Sequence, residues 1–280
     1  MSVPSEVPSL YGPARKTSRI RTRDLMRAKE RGEKFAMLTS YDRYTAAIFD
    51  EAGIPALLVG DSAANNVYGY ESTIPVTVEE LLPLVGAVAR STKRTLVVAD
   101  LPFGSYEVSS QQAHETAVRF MKQGAHAVKL EGGVSVAEQI RTLTTAGVPV
   151  LAHIGFTPQS EHQVGGYRVA GRAEQARKVL EDAVAVAEAG AFGVVLEMVT
   201  ADVAAQVTKE VPIPTIGIGA GAQTDGQIMV WQDIAGLNTG STPRFVKRYG
   251  NVAEVISRVA TQYADEVRDG IFPASEHEFS

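Results

Sequence analysis

The sequence predicts a (β/α)8 TIM barrel whose bottom is capped by an N-terminal helix, and three observations predict this fold class. From residue 35 onward, short aliphatic runs alternate with helical stretches, as in a series of strand-helix-strand units. The apolar runs are nearly continuous, which is typical of parallel strands covered on both faces. No Pro/Gly-rich linker divides the 280 residues, a length that suits one barrel of about 250 residues. A doubly wound open sheet is the alternative.

Each predicted element has a local signal. Eight apolar runs are typical of strands, at 35–40, 56–61, 95–101, 126–131, 148–154, 193–199, 214–220 and 228–234. Three helix starts have capping-box spacing, Thr77 with Glu80, Ser109 with Gln112 and Ser135 with Glu138. Four helices end at glycines that adopt the left-handed cap at little cost, Gly53, Gly124, Gly147 and Gly190. "TRDLMRAKERG" is the predicted capping helix, and "NVAEVISRVATQYADEVRDG" is the predicted last outer helix.

Composition narrows the possible functions. We expect residues 1–20 to be a flexible N-terminal tail and residues 21–280 to be a single catalytic domain. The chain has no cysteine, which excludes disulfides, zinc thiolate sites and thiol nucleophiles. A net charge of -5 makes nucleic acid and anionic membrane poor partners, and a small metabolite fits better. With neither a signal peptide nor a long apolar stretch, a cytoplasmic location is expected.

Charged side chains stand at the carboxyl ends of four predicted strands. They are Asp61, Asp100, Lys129 with Glu131, and Glu197. In a barrel these strand ends meet at one mouth, where the loops carry the chemistry. Like charges a few ångströms apart cost about 4 kcal/mol per pair at an effective dielectric constant near 20. The four acids therefore require more positive charge than Lys129 alone supplies.

A divalent cation supplies the missing charge, and carboxylate ligands without cysteine favour Mg²⁺ over zinc. A 2-oxo acid fits the remaining coordination positions, with Lys129 neutralising its carboxylate. The metal would acidify the carbon beside the ketone by stabilising an enolate. Glu197, between Leu196 and Met198, lies in apolar surroundings of the kind that suit a general base.

Simpler interpretations stay open for each of these residues. A single Asp at a strand end is often a helix N-cap or a loop hydrogen-bond acceptor. Lys129 and Glu131 could form an ordinary ion pair, and His153 could be a core histidine or a substrate contact. "GIGAGA" at 217–222 resembles a dinucleotide fingerprint only loosely, because no acid follows about twenty residues later.

Several long motifs resemble the ketopantoate hydroxymethyltransferase family. They are "LTSYD", "LLVGDS", "STIPVT", "VVADLPFGSY", "AVKLEGG", "AHIGFTPQS", "GGYRVAGR", "IGIGAG" with "DGQIMVWQD", and "FPASEHEF", and they cover nearly the whole chain after about residue 18. The resemblance implies a barrel enzyme that uses one Mg²⁺ per subunit. It would add a hydroxymethyl group from 5,10-methylenetetrahydrofolate to 3-methyl-2-oxobutanoate, giving 2-dehydropantoate and tetrahydrofolate in pantothenate and coenzyme A biosynthesis.

The resemblance also assigns roles to individual residues. Metal ligands would be Asp61, Asp100 and Glu131, the last directly or through a water. Substrate contacts would be Asp61, Ser62, Asp100, Lys129 and His153, and the proton acceptor would be Glu197. The resemblance also implies assembly into a homodecamer. The sequence departs from the family pattern at Ala63, Ala64, Asn65 and Asn66, at "YES" 70–72, and at Glu161 and His162, which puts the pocket rim in question.

Two other functions remain as alternatives. One is a Mg²⁺-dependent carbon-carbon or phosphorus-carbon lyase of the isocitrate lyase and phosphoenolpyruvate mutase type. The lyase branch usually relies on a catalytic cysteine, which this chain lacks. The other is a non-catalytic barrel that binds an oxo acid, and the presence of Glu197 argues against it.

Overall fold

The computed structural model describes residues 9–11, 18–166, 169–172 and 174–279. The chain divides into two units, one up to Met229 and one from Val230 onward. Most of the predicted N-terminal tail, residues 1–8 and 12–17, lies outside the described residues. Leu10 and Ile20, within that predicted tail, are fully buried.

The first unit contains a closed barrel of eight parallel strands, which confirms the predicted fold class. The strands are β1 Phe35–Thr39, β2 Ala56–Val59, β3 Leu96–Asp100, β4 Ala127–Glu131, β5 Val150–Gly155, β6 Gly193–Glu197, β7 Thr215–Ile218 and β8 Gly226–Met229. They pair in chain order, and β8 closes on β1. The open-sheet alternative is therefore wrong.

The predicted eighth strand, 228–234, is wrong in its position. The strand begins earlier, at Gly226, where the Phe35 ring packs so closely that an added Cβ would lie 2.5 Å from it. Residues Trp231–Ile234 form a short helix, α9, instead of continuing the strand. A short apolar run does not distinguish strand from helix by periodicity, and the glycine hid the true start.

Helices alternate with the strands. In the first unit they are α1 Thr22–Glu30, α2 Arg43–Glu51, α3 Val78–Ser91, α4 Ser110–Lys122, α5 Ala137–Thr145, α6 Glu161–Val164, α7 Glu174–Glu188 and α8 Ala201–Glu210. The four glycines predicted to end helices all have positive φ, which confirms those stops. Each such cap satisfies carbonyls that the last helical turn leaves without partners.

The predicted helix starts fare differently. Thr77 and Glu80 form the reciprocal capping box that was predicted, a feature that stabilises a helix by about 1 kcal/mol. Ser109 accepts from the Gln112 backbone N–H and caps α4 as an N-cap residue. The prediction for Ser135 is wrong, because a 3₁₀ turn over Val134–Val136 precedes α5 and no side chain caps that helix.

Alternate strand residues fill the barrel with apolar side chains. Phe35, Leu96 and other residues near the amino ends of the strands belong to one buried cluster. Leu25 and Ala28 of α1 are fully buried in the same cluster. Helix α1 therefore covers the amino-terminal end of the barrel, as the sequence predicts, and leaves the carboxyl-terminal mouth for loops.

The second unit contains α9 and the long helix α10, Val252–Arg268. The predicted last helix is thus confirmed as a helix, but none of its residues is buried. Its exposed apolar side chains are Val255, Ile256, Val259, Tyr263 and Val267. Within the described part of the chain, no helix has both the length and the apolar character needed to cross a bilayer.

Candidate active site

Strand alternation places polar side chains directly above the apolar barrel interior. Val98 and Leu151 belong to the buried core, and Asp100 and His153 follow them two residues later on the same strands. Side chains two apart on a strand point to the same face. Together these side chains form what we call the polar layer, consisting of Asp61, Asp100, Lys129, Glu131, His153 and Glu197.

The register of the barrel strands places side chains of the polar layer next to one another. Lys129 and Glu131 follow the core residue Ala127 at the same spacing on β4. Asp100 is the strand partner of Lys129, and His153 is the strand partner of Glu131. The convergence predicted from the sequence is therefore observed.

The two aspartates lie next to each other. Asp61 stands two residues past the end of β2, and its backbone N–H donates to Asp100 Oδ2 at 3.1 Å. Both residues are buried, with 5% and 1% of their surface exposed. Burial raises the pKa of Asp100 to about 8, although the neighbouring Lys129 opposes the shift. Additional positive charge is needed to keep this carboxylate ionised at neutral pH.

Lys129 lies among the carboxylates of the layer. Its Nζ is 2.8 Å from Asp100 Oδ1 and 3.9 Å from Glu131 Oε1. Burial, the largest single influence, lowers the pKa of Lys129, but Asp100, Glu131 and Asp61 together raise it above its usual value. The side chain is therefore a permanent ammonium at the base of the mouth, suited to pairing with an anionic group.

His153 lies between two acids. Its Nδ1 is 3.3 Å from Glu131 Oε1, and its Nε2 is 3.2 Å from Glu197 Oε2. Burial and Lys129 lower the pKa of His153, but the contacts with the two carboxylates have the larger combined effect. The net result is a pKa raised from 6.5 to about 9. A protonated ring cannot accept from Lys129 Nζ, which lies 3.3 Å from Nδ1, so the Nδ1 proton is directed to Glu131. His153 is thus neither an isolated core histidine nor a surface one.

Glu197 is the most open acid of the layer, with 15% of its side chain exposed. Its backbone is held closely. Gly155 has φ +96°, and a Cβ there would lie 2.4 Å from the Glu197 carbonyl oxygen, which accepts a 2.9 Å hydrogen bond from Phe156 N–H. Met198 has φ +49°, a left-handed conformation that costs a non-glycine residue about 1–2 kcal/mol. These two features constrain the backbone at and just after Glu197.

Ser62 is held by a residue that the sequence analysis did not single out. Its Oγ lies 2.8 Å from the hydroxyl of the buried Tyr41, which follows β1. The chain then forms a π-helical turn, Ala64–Tyr68, in which Asn66 Nδ2 donates to the Ser62 carbonyl at 2.8 Å. The departure from the family pattern after Ser62 is therefore an ordered turn.

Gln159 and Tyr106 were also missed. Both are buried, and the Tyr106 hydroxyl donates to Gln159 Oε1 at 2.7 Å. Gln159 Nε2 donates to Asp61 Oδ2 at 2.9 Å, and the Gln159 backbone N–H donates to Glu131 Oε2 at 3.0 Å. Both residues lie within the motifs that carry the resemblance, but a neutral amide and a phenol gave no charge signal that would have marked them.

The polar layer fits a hard divalent cation. Among the described residues, no three His, Asp or Glu side chains already form a complete metal site. Mg²⁺ does not require one, because it typically binds one or two carboxylates and keeps water or substrate oxygens, and Asp61 with Asp100 supplies such a pair. The buried oxygens Asp100 Oδ1 and Glu131 Oε1 face the cationic side chains of Lys129 and His153, at 2.8 Å and 3.3 Å. When ionised, the layer's four carboxylates face two cationic groups, Lys129 and His153, which leaves two negative charges for a divalent cation to neutralise.

Comparison with known proteins decides the family. The family model for ketopantoate hydroxymethyltransferase matches residues 19–275. The chain belongs to the ketopantoate hydroxymethyltransferase family. Its relatives include 3-methyl-2-oxobutanoate hydroxymethyltransferase of Saccharopolyspora erythraea, 63% identical over 98% of this chain and 94% of the relative. Another, of Mycolicibacterium paratuberculosis, is 61% identical over 94% and 92%.

Solved structures with the same fold are far more distant in sequence. Phosphonopyruvate hydrolase in complex with oxalate and Mg²⁺ gives a TM-score of 0.59 at 16% identity, covering 92% of this chain and 91% of that chain. The 2,3-dimethylmalate lyase, a member of the phosphoenolpyruvate mutase and isocitrate lyase superfamily, gives 0.57 at 17% identity, covering 92% and 91%. These likenesses show the barrel fold alone. Membership of the ketopantoate hydroxymethyltransferase family therefore rests on sequence, and it disfavours the lyase alternative.

Proposed function

We propose that this enzyme transfers a hydroxymethyl group from 5,10-methylenetetrahydrofolate to 3-methyl-2-oxobutanoate, giving 2-dehydropantoate and tetrahydrofolate. The observation that carries the proposal is the buried group of Asp61, Asp100 and Glu131 around the Lys129 ammonium. That group occurs in a chain 63% identical to a protein named for this reaction.

We assign one Mg²⁺ per subunit to the polar layer. Asp61 and Asp100 would hold it, with Glu131 contributing directly or through a water. When bound, the ion supplies Lewis-acid polarisation of the keto oxygen. Neutralising Asp100 in this way also removes the reason for its raised pKa, because burial is then offset by nearby positive charge.

Lys129 and Ser62 orient the oxo acid. The ammonium pairs with the substrate carboxylate, and its own contact with Asp100 at 2.8 Å keeps it in place without substrate. Ser62 offers a hydroxyl whose position is set by Tyr41. Because both groups are already positioned before binding, little side-chain entropy is lost when the substrate arrives.

Glu197 acts as the base. It accepts the proton as the C3–H bond of the oxo acid breaks, and C3 then forms a bond to the one-carbon unit. Water cleaves the bonds of that carbon to the folate nitrogens, so the water oxygen becomes the product hydroxyl and tetrahydrofolate leaves. His153 Nε2 lies 3.2 Å from Glu197 Oε2. This contact orients the carboxylate and partly neutralises its negative charge. Glu197 is open enough to reach a substrate carbon, whereas the other acids are almost fully covered.

Proton exchange tests the assignment. The protein with Mg²⁺ and 3-methyl-2-oxobutanoate in D₂O, without folate, should exchange the C3 proton, followed by NMR. Glu197→Gln should bind the oxo acid but lose the exchange, and Glu210→Gln, at an exposed position on α8, should exchange at the wild-type rate. Unchanged exchange in Glu197→Gln would refute the base assignment. No exchange in the wild type would favour a lyase or a simple binder.

The oligomeric state and the cellular location of the protein are predictions based on the family resemblance. A homodecamer in the cytoplasm is expected. The exposed apolar side chains of α10 support assembly, because a row of Val, Ile and Tyr side chains facing water is costly for an isolated subunit. Sedimentation velocity would measure the subunit number.

A further inference from the structure

Gln159 is a buried amide whose hydrogen-bonding groups are all used. It lies in the 3₁₀ turn Pro158–Ser160 after β5, with 4% of its surface exposed. Nε2 donates to Asp61 Oδ2 at 2.9 Å and to the Leu101 carbonyl at 3.0 Å. Oε1 accepts from the Tyr106 hydroxyl at 2.7 Å, and the backbone N–H donates to Glu131 Oε2.

The orientation of the amide follows from its surroundings. If nitrogen and oxygen were exchanged, Oε1 would face the Asp61 carboxylate and the Leu101 carbonyl, which are both acceptors without protons. The Tyr106 hydroxyl fixes the other end, because it also accepts from the Glu131 backbone N–H at 3.2 Å. Gln159 is therefore locked in one orientation by contacts from three loops or strands.

We propose that Gln159, fixed by Tyr106, is a positioning residue that holds Asp61 and Glu131 at the separation required for divalent cation binding. This inference rests on the proposed function of the polar layer. Each carboxylate has one oxygen engaged by Gln159, so its other oxygen is left for the ion. For Glu131 that other oxygen, Oε1, is buried; it faces His153 Nδ1 at 3.3 Å and keeps a second lone pair for the ion.

The chemistry favours an amide at this position over a charged donor. An arginine or lysine there would also hold the carboxylates, but its charge would neutralise them and compete with the cation. A glutamate would add another buried negative charge beside Asp61 and would lose both side-chain N–H donors. The amide gives direction to the carboxylates and leaves their charge available.

Metal affinity is the decisive measurement. The dissociation constant of Mn²⁺ would be measured by electron paramagnetic resonance on full-length wild type, Gln159→Met and Tyr106→Phe, with no substrate present. Methionine has nearly the shape of glutamine but donates no hydrogen bond. We expect Gln159→Met to weaken Mn²⁺ binding roughly 10–100-fold, the usual effect of losing an outer-shell partner of a ligand. We expect a smaller loss, about 3–10-fold, for Tyr106→Phe, since the amide remains.

A matched control separates positioning from simple packing. Gln139 is also a buried glutamine, on α5, and its Nε2 donates a long 3.4 Å bond to the Glu107 carbonyl. Gln139→Met should keep the wild-type Mn²⁺ affinity even if its melting temperature falls. The rate of oxo acid proton exchange in Gln159→Met should recover as Mg²⁺ is raised, because the defect lies in metal affinity.

The outcomes distinguish the two proposals. Wild-type Mn²⁺ affinity in a folded Gln159→Met would overturn the positioning role, whatever the enzyme's activity. If Gln159→Met does not fold, Tyr106→Phe decides in the same way, and unchanged affinity there overturns the inference. If the wild type binds Mn²⁺ but exchanges no oxo acid proton, the proposed function fails, while the affinities still decide the role of Gln159.

Discussion

Replacing Lys129 with methionine tests the electrostatic account of the polar layer most directly. The substitution keeps the length and burial of the side chain and removes its charge. The ammonium lies 2.8 Å from Asp100 Oδ1 and 3.9 Å from Glu131 Oε1. At an effective dielectric constant of 20 these distances correspond to attractions of about 6 and about 4 kcal/mol.

Only part of that attraction is lost on mutation, because the ammonium no longer has to be desolvated. Breaking a buried ion pair by removing one partner typically costs about 3–5 kcal/mol, and we expect a loss of that size for Lys129→Met. The measurement is urea unfolding at pH 9 with EDTA, above the pKa of about 8 at which Asp100 ionises. Mg²⁺ should recover part of the loss, since a divalent ion replaces the missing positive charge.

Lys178→Met is the matched control. Lys178 Nζ lies 3.0 Å from Asp182 Oδ2, a similar distance, but 73% of the lysine side chain is exposed. An exposed pair of this kind contributes less than about 1 kcal/mol. If Lys129→Met costs no more than Lys178→Met, the ammonium is not the counter-charge of the polar layer and the reasoning fails.

Three further outcomes follow from the geometry. Met198→Val should be less stable than Met198→Asn by about 1–2 kcal/mol in urea unfolding, because asparagine tolerates φ +49° and a β-branched residue does not; equal stability would contradict the strain. Gly155→Ala should lower the melting temperature more than Gly147→Ala, since both have positive φ but only the former meets a carbonyl oxygen, at 2.4 Å. His126 Nδ1 accepts from Val97 N–H, and burial lowers the pKa of His126 from 6.5 to about 4. Between these two pH values the unfolded chain binds a proton that the folded chain does not. The stability of the fold should therefore decrease as the pH drops from 6.5 to 4. His126→Asn should reduce this loss by on the order of 1 kcal/mol, a small figure because the ring is partly exposed. The measurement is the free energy of unfolding across that pH range, and an unchanged pH slope would contradict the prediction.

The fold could be predicted because its signals are local. Strand positions followed from apolar runs, and helix ends followed from glycines such as Gly53 that have the positive φ expected of them. The exceptions have local causes too. The start of β8 was hidden at Gly226, a residue with no side chain, and Ser135 met the spacing of a capping box in a segment that forms a 3₁₀ turn.

The candidate site was partly predictable because charge in an apolar run is conspicuous. Lys129 and Glu131 stand two apart on one strand, and that spacing alone places them on the same face. Gln159 could not be found in this way. Its contact with Asp61 joins residues 98 positions apart, and a neutral amide in a loop looks the same whether it faces water or a carboxylate. Tyr41 escaped notice for the same reason.

The hydrogen bond from the Asp61 backbone N–H to Asp100 Oδ2 couples the energetic contributions of the two residues. Asp61 lies outside any strand, so its position depends on the side chain it would share an ion with. A change at Asp100 therefore removes one carboxylate and also one of the contacts that hold the other. Single substitutions at the two positions should consequently be far from additive, and a double-mutant cycle would report the coupling.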